Sequence, residues 1–124
     1  MSDIVEISVP ADSGYVSTLR LTAASLAAHC ELTVDEIEDL RLAVDEACAL
    51  LLPHANGGPL TGRFELAIGK LLVEVAVSGA VGADLDRSGF AWAVLGALAE
   101  DVSISSQGSR LQLSLSKRRQ APRA

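Results

Sequence analysis

Three groups of residues carry side chains able to do chemistry, and their spacing limits what that chemistry can be. Glu46 lies between Leu42 and Leu50 at intervals of four, so on a helix its carboxylate shares a stripe with two leucines. A partly buried acid suits proton transfer, but one carboxylate names no reaction, and the plainer alternative is an acid at the rim of the core. Arg20 stands beside Ser13, Ser17, Ala24 and Ala28. Small neighbours let another helix or a partner approach closely, and a guanidinium there can fork onto a carboxylate; the alternative is an exposed arginine on an alanine-rich helix. Cys30 and Cys48 form no C-x-x-C pair, and His29 and His54 stand at no metal-ligand spacing. No metal site is expected, and both thiols read as buried and inert. His29 and Cys30 are adjacent, which on a helix turns their side chains about 100° apart and prevents them from sharing a proton.

The elements that must position these groups follow from apolar periodicity and caps. A strand is predicted over Ile4–Val9, ended by Pro10. Ser13 is the expected N-cap of a first helix running to His29, with Tyr15, Val16, Leu19, Ala23 and Leu26 facing the core. Thr33 opens a second helix to Leu52; Glu36 completes a capping box and Pro53 closes the segment. Ile37, Leu40, Val44, Ala47 and Leu51 form its inward stripe. The same segment concentrates the acids, and those of its first turn complement the helix dipole. Two strands follow at Gly62–Ile68 and Leu71–Val77, turning at Gly69-Lys70, and then a loop from Ser78 to Ser88. A short helix over Phe90–Ala99 precedes the last strands, Val102–Ser105 and Leu111–Leu115, joined by Ser106 to Ser109. The order βααββαββ implies an α+β fold, a two-layer α/β sandwich whose mixed or antiparallel sheet carries its helices on one face.

Length and charge narrow the class. The 124 residues make one domain, and 49% apolar with 21% charged residues is a globular composition. No apolar run approaches the ~18 residues of a membrane span, and Met1 to Glu6 is no signal peptide, so a cytoplasmic protein without a membrane partner is expected. Lys117, Arg118, Arg119 and Arg123 fall in the last eight residues, which hold no acid. Residues 1–116 therefore carry six bases against sixteen acids, a net −10. Such a body repels phosphate backbones, and four aromatics are too few for a base-stacking platform, so no direct nucleic-acid partner is expected. The domain is taken as residues 1–117, with 118–124 as a basic, flexible tail.

Arg41-Leu42-Ala43-Val44-Asp45-Glu46-Ala47-Cys48 resembles the helix bearing the N box of the RsbW-type anti-sigma factors, members of the GHKL ATPase superfamily. Val9-Pro10-Ala11, the segment Tyr15 to Leu21, and Leu32-Thr33-Val34-Asp35-Glu36 stand in that family's order. Arg87-Ser88-Gly89-Phe90 and Leu98 to Val102 are similar to its C-terminal third. The likeness covers about residues 4–117 and is greatest to the actinobacterial, UsfX-like branch. It implies the Bergerat α/β sandwich and a cytoplasmic protein, often homodimeric, that withholds an alternative sigma factor of the stress or sporulation type. A STAS-type anti-anti-sigma protein would release that factor. The resemblance makes Arg20 the residue presented to the sigma factor, with Ser13 and Ser17 as the flat surface around it.

Many such relatives are Mg-ATP-dependent serine kinases, and here the departures matter. The family's N box is Glu-x-x-x-Asn; Glu46 matches, but Leu50 stands in the place of the amide that holds Mg²⁺, and an alkyl group cannot ligate a hard cation. The adenine-binding Asp-x-Gly-x-Gly is replaced by Ser78-Gly79-Ala80-Val81-Gly82. The phosphate-approaching Gly-x-Gly reads Gly89-Phe90-Ala91, and the connection from Ser78 to Gly89 is short for a nucleotide lid. The expectation is a degenerate nucleotide site with no catalytic residue and no cofactor. The alternative is an active kinase that uses Mg-ATP, in which Glu46 is catalytic and Glu46 and Gly89 hold the nucleotide.

Overall fold

The computed structural model describes residues 3–79 and 88–120. Its elements are β1 (Asp3–Pro10), α1 (Val16–His29), α2 (Val34–Leu51), β2 (Pro59–Ala67), β3 (Lys70–Ser78), α3 (Phe90–Leu98), β4 (Glu100–Gln107) and β5 (Arg110–Arg118), in the order expected. The strands form one sheet in the order β1-β2-β3-β5-β4, and every neighbouring pair is antiparallel. Of the two sheet types open from sequence, the antiparallel one forms. Short hairpins join β2 to β3 and β4 to β5, and antiparallel neighbours are what such turns permit.

Period-two alternation sorts the sheet into two faces. Val5, Phe64, Val73 and Leu115 lie in one cross-strand row, and Ile7, Gly62, Val75 and Leu113 in the next. These rows meet Leu19, Ala23 and Ala27 of α1 and Leu40, Val44, Ala47 and Leu51 of α2 in a single core. The opposite face is polar: Arg63 pairs with Glu74 at 2.8 Å, and Gln112 donates to the other oxygen of that carboxylate at 2.7 Å. Gly79, just after β3, has no room for a side chain, since a Cβ there would lie 2.6 Å from Leu111 Cδ1.

Several boundaries differ from the expectations. Asp12, not Ser13, is the first cap: its carboxylate accepts from Gly14 N, and Ser13–Tyr15 form one 3₁₀ turn before α1 starts at Val16. That turn rotates Tyr15 off the inward stripe and leaves it 45% exposed. The second helix stops at Leu51, and Pro53 lies within a 3₁₀ turn over Leu52–His54. Ala67 pairs with Lys70, so the hairpin turns at Ile68-Gly69, where Gly69 takes φ +73°. The third helix ends at Leu98, and the last two strands run to Gln107 and Arg118, with a turn at Gly108-Ser109.

The basic end is the largest difference. Arg118 is still in β5, Arg119 N donates to Gly69 O at 2.8 Å, and Gln120 N donates to Glu36 Oε2 at 2.7 Å. The chain is therefore fastened three residues past the expected boundary, because the β3–β5 ladder continues to the Lys70–Arg118 pair and carries the backbone onto α2. The remainder of the tail, 121–124, lies outside the described residues, as do residues 80–87 of the expected loop.

Candidate functional site

The second helix organises the site because its two flanks meet different neighbours. Its N-terminus is fixed by the expected capping box: Glu36 N donates to Thr33 Oγ1 at 3.2 Å, and Thr33 N donates to Glu36 Oε1 at 2.8 Å. Burial alone would raise the Glu36 carboxyl. Donation from the Thr33 and Gln120 amides, the Thr33 hydroxyl and the charge of Lys117 together hold it below the usual carboxylate range. Sequence reasoning treated Glu36 only as a cap; its second bond, to Gln120, needed the tertiary fold to become visible.

On the flank toward α1, Arg20 Nη1 lies 3.1 Å from both Oδ1 and Oδ2 of Asp45. Each side chain is 33% exposed. Of the two readings open for Arg20, the carboxylate contact forms, but through one nitrogen and not as a two-nitrogen fork, and the acceptor belongs to the same chain. Arg20 Nε is enclosed and has no acceptor. Ser17 is half-buried and Ser13 exposed, both near the start of α1. Leu21 of α1 and Leu42 of α2 stand outward, 58% and 51% exposed. Arg41, one turn before Asp45, pairs with Glu38 at 2.8 Å.

On the opposite flank, Asp39, Ala43, Glu46 and Leu50 follow one another at helical spacing. Asp39 marks which way this stripe faces. Its Oδ2 accepts from Lys117 Nζ at 3.2 Å, and the same ammonium donates to Leu98 O, the last residue of α3, at 2.8 Å. Lys117 is 10% exposed at its side chain and ties α2, α3 and β5 together. Asp45 is thus held by α1, whereas Glu46, adjacent in sequence, falls by helical spacing on the stripe that Asp39 begins. Glu46 and Leu50 are half-buried. Gly89 is the N-cap of α3 in an extended conformation, without a side-chain cap bond, and Phe90 next to it is 85% exposed.

Mg-ATP requires oxygen ligands for the cation and polar partners for the nucleotide. Leu50 offers no oxygen one turn beyond Glu46. Among the described residues no group of three or more His, Cys, Asp or Glu side chains is placed to hold a metal ion. Ser78 closes β3 with a neutral hydroxyl, and the Gly79 amide that follows is already donated to Ser109 O. Among the described residues, this donor set lacks the oxygen that a Mg²⁺ ligand at position 50 would supply. Ala80, Val81 and Gly82 of the replaced motif lie outside the described residues.

Both cysteines are buried and free. Burial, and then the charge of Asp45, push the Cys48 thiol up to about 12. Burial also raises Cys30, partly offset by a hydrogen bond with the Ala67 backbone. No described helix is long and apolar enough to cross a membrane.

Comparison with known proteins places this arrangement. The model of the histidine kinase-like ATPase domain matches residues 9–117. The chain is 40% identical over 82 residues to the serine-protein kinase RsbW of Bacillus subtilis, covering 63% of this chain and 51% of that one. It is 39% identical over 66 residues to the serine-protein kinase RsbW of Halalkalibacterium halodurans, covering 52% and 41%. The chain thus spans about half the length, or less, of these relatives. The fold matches the crystal structure of the RsbU and RsbW domains of Rv1364c from Mycobacterium tuberculosis with a TM-score of 0.76 at 18% identity, over 97% of this chain and 33% of that one. With the family model covering nearly the whole described fold, the chain belongs to the histidine kinase-like ATPase domain family, and its sequence likeness within that family runs to RsbW-type proteins.

Proposed function

We propose that this protein is an anti-sigma factor that works by sequestration: it holds an alternative sigma factor on the α1–α2 surface around Arg20 and yields it to a STAS-type competitor. The observation that carries this reading is Leu50. The N-box helix keeps its acid at Glu46, yet turns an alkyl group to the same flank where the family's amide would hold Mg²⁺. A chain similar to RsbW kinases but lacking that ligand retains its surfaces more readily than its chemistry. Release then follows from competition for one surface, as mass action requires, and not from phosphorylation. Ser13 and Ser17 border Arg20 on this reading, and the assembly is a homodimer.

Glu46 supports one other reading. A half-buried carboxylate retained in the N-box position is what a kinase uses, and on that reading Glu46 and Gly89 hold Mg-ATP. Calorimetric titration with ATP and ADP in Mg²⁺ separates the two. Absence of heat at millimolar nucleotide, with a sigma factor retained from native lysate, supports sequestration. Saturable micromolar binding, with phosphate transfer to a STAS protein, overturns it in favour of the kinase.

A further inference from the structure

We propose that Asp45 is a built-in competitor for Arg20: it holds the guanidinium against α2 until an incoming carboxylate displaces it, and so sets how tightly the α1–α2 surface captures a partner. The inference rests on the reading of Arg20 as a partner contact and adds to it how that contact is regulated.

Geometry carries the argument. Both oxygens of Asp45 meet a single nitrogen, Nη1, at 3.1 Å. The strongest arginine–carboxylate pairs instead use two nitrogens in parallel and are shorter. Nε meanwhile is shut away from solvent and lacks any acceptor. An enclosed, unpaired donor is costly, so the guanidinium is not in the best arrangement open to it. A carboxylate arriving from outside, free of the spacing that α1 and α2 impose on Asp45, can take two nitrogens together. The pair is one-third exposed on both sides, so it opens without leaving a cavity. The released Asp45 also has somewhere to turn: Arg41 lies one turn back on the same helix, engaged among the described residues with the exposed Glu38.

The test uses the full chain, phenylglyoxal as an arginine-selective probe, and purified alternative sigma factors of the source bacterium offered one at a time. Asp45→Asn should raise the rate at which phenylglyoxal modifies Arg20, read by mass spectrometry. It should also tighten sigma-factor capture about three- to fivefold, the size of an exposed ion pair. Asp45→Glu, which keeps the charge, should return both readouts toward wild type, a rescue that a merely structural role would not give. Capture that is unchanged or weaker in Asp45→Asn, while Arg20→Ala abolishes it, overturns the competitor and leaves the site assignment standing. Capture undiminished in Arg20→Ala overturns both. Should Asp45→Asn unfold, Asp45→Ser removes the same charge with less bulk and is read in the same way.

Discussion

Arg20 and Asp45 join α1 to α2 across 25 residues of sequence, with one guanidinium nitrogen 3.1 Å from each carboxylate oxygen. The helices are neighbours linked by the short connection at Cys30 to Thr33, so residues at similar distances on either side of it come near one another. The pair leaves the Arg20 cation on the helical hairpin already partly neutralised.

Arg20→Ala is expected to change unfolding free energy by no more than about 1 kcal/mol, because the lost ion pair is partly exposed. Capture of a sigma factor should fall by about 2 kcal/mol or more, the usual weight of an arginine at the centre of an interface. Urea unfolding and surface-immobilised binding check the two halves independently; wild-type affinity in the variant removes Arg20 from the site.

Glu36 gives the protein an acid limit. Its folded carboxyl is held below the ordinary range, so the stability it contributes is complete above the unfolded value of about 4.3 and disappears as pH falls through the lower, folded value. Stability should therefore be flat above about pH 5 and decline below it. In Glu36→Gln that decline should be shallower. Denaturant titrations along the pH series test this, and an unchanged acid limb in the variant assigns the loss to other carboxylates.

Much of this architecture was legible in the sequence, and the rest failed for identifiable reasons. The Thr33 capping box and the inward stripe of α2 are local signals and formed as read, and both hairpins formed with their turns shifted from the expected positions. Tyr15 failed because a 3₁₀ turn capped by Asp12 rotates it out of the helical phase that the wheel assumed. The Asp45 partnership with Arg20 was half visible: the stripe marked Arg20 as able to take a carboxylate, but only the packing of the two helices selects which one. Lys117 was invisible as an anchor. A lysine in a basic run reads as solvated, and nothing local announces that β5 will carry it beneath α3.

Replacing that lysine should be felt. Lys117→Met keeps the stem but leaves Leu98 O without its donor, at an expected cost of about 1–3 kcal/mol. Asp39→Asn should cost less, since Asp39 is 43% exposed and its amide can still accept from the ammonium. Comparison of urea midpoints for the two variants tests the ranking; equal losses would place the weight on the ion pair and not on the carbonyl.

The thiols should be silent in the native state. A Cys48 thiol pushed up to about 12 and fully enclosed is protonated at neutral pH, and a protonated thiol is a poor nucleophile. Ellman's reagent should therefore react with Cys30 and Cys48 only at the rate of unfolding, and fully in denaturant. A fast native phase assigned by mass spectrometry to either residue would reopen a redox role.

Leu50→Asn asks whether one side chain separates this protein from a nucleotide-binding relative. The substitution puts an amide oxygen one turn beyond Glu46, on the flank that faces away from Arg20. Leu50 is half-buried, so the loss of apolar contact should cost about 1–2 kcal/mol and leave the fold intact. Nucleotide binding should still be absent. Ser78 remains a neutral acceptor where the resemblance calls for an aspartate, and Ala91 keeps a methyl where it calls for glycine. A restored amide can ligate Mg²⁺ only alongside bound phosphates and water, and the adenine and phosphate contacts at Ser78 and Ala91 stay unrestored. Calorimetry with Mg-ATP at millimolar concentration should stay flat for wild type and variant alike. A variant that binds at micromolar concentration would mean that Leu50 alone silences the pocket, and the rest of the site would have to be read as competent.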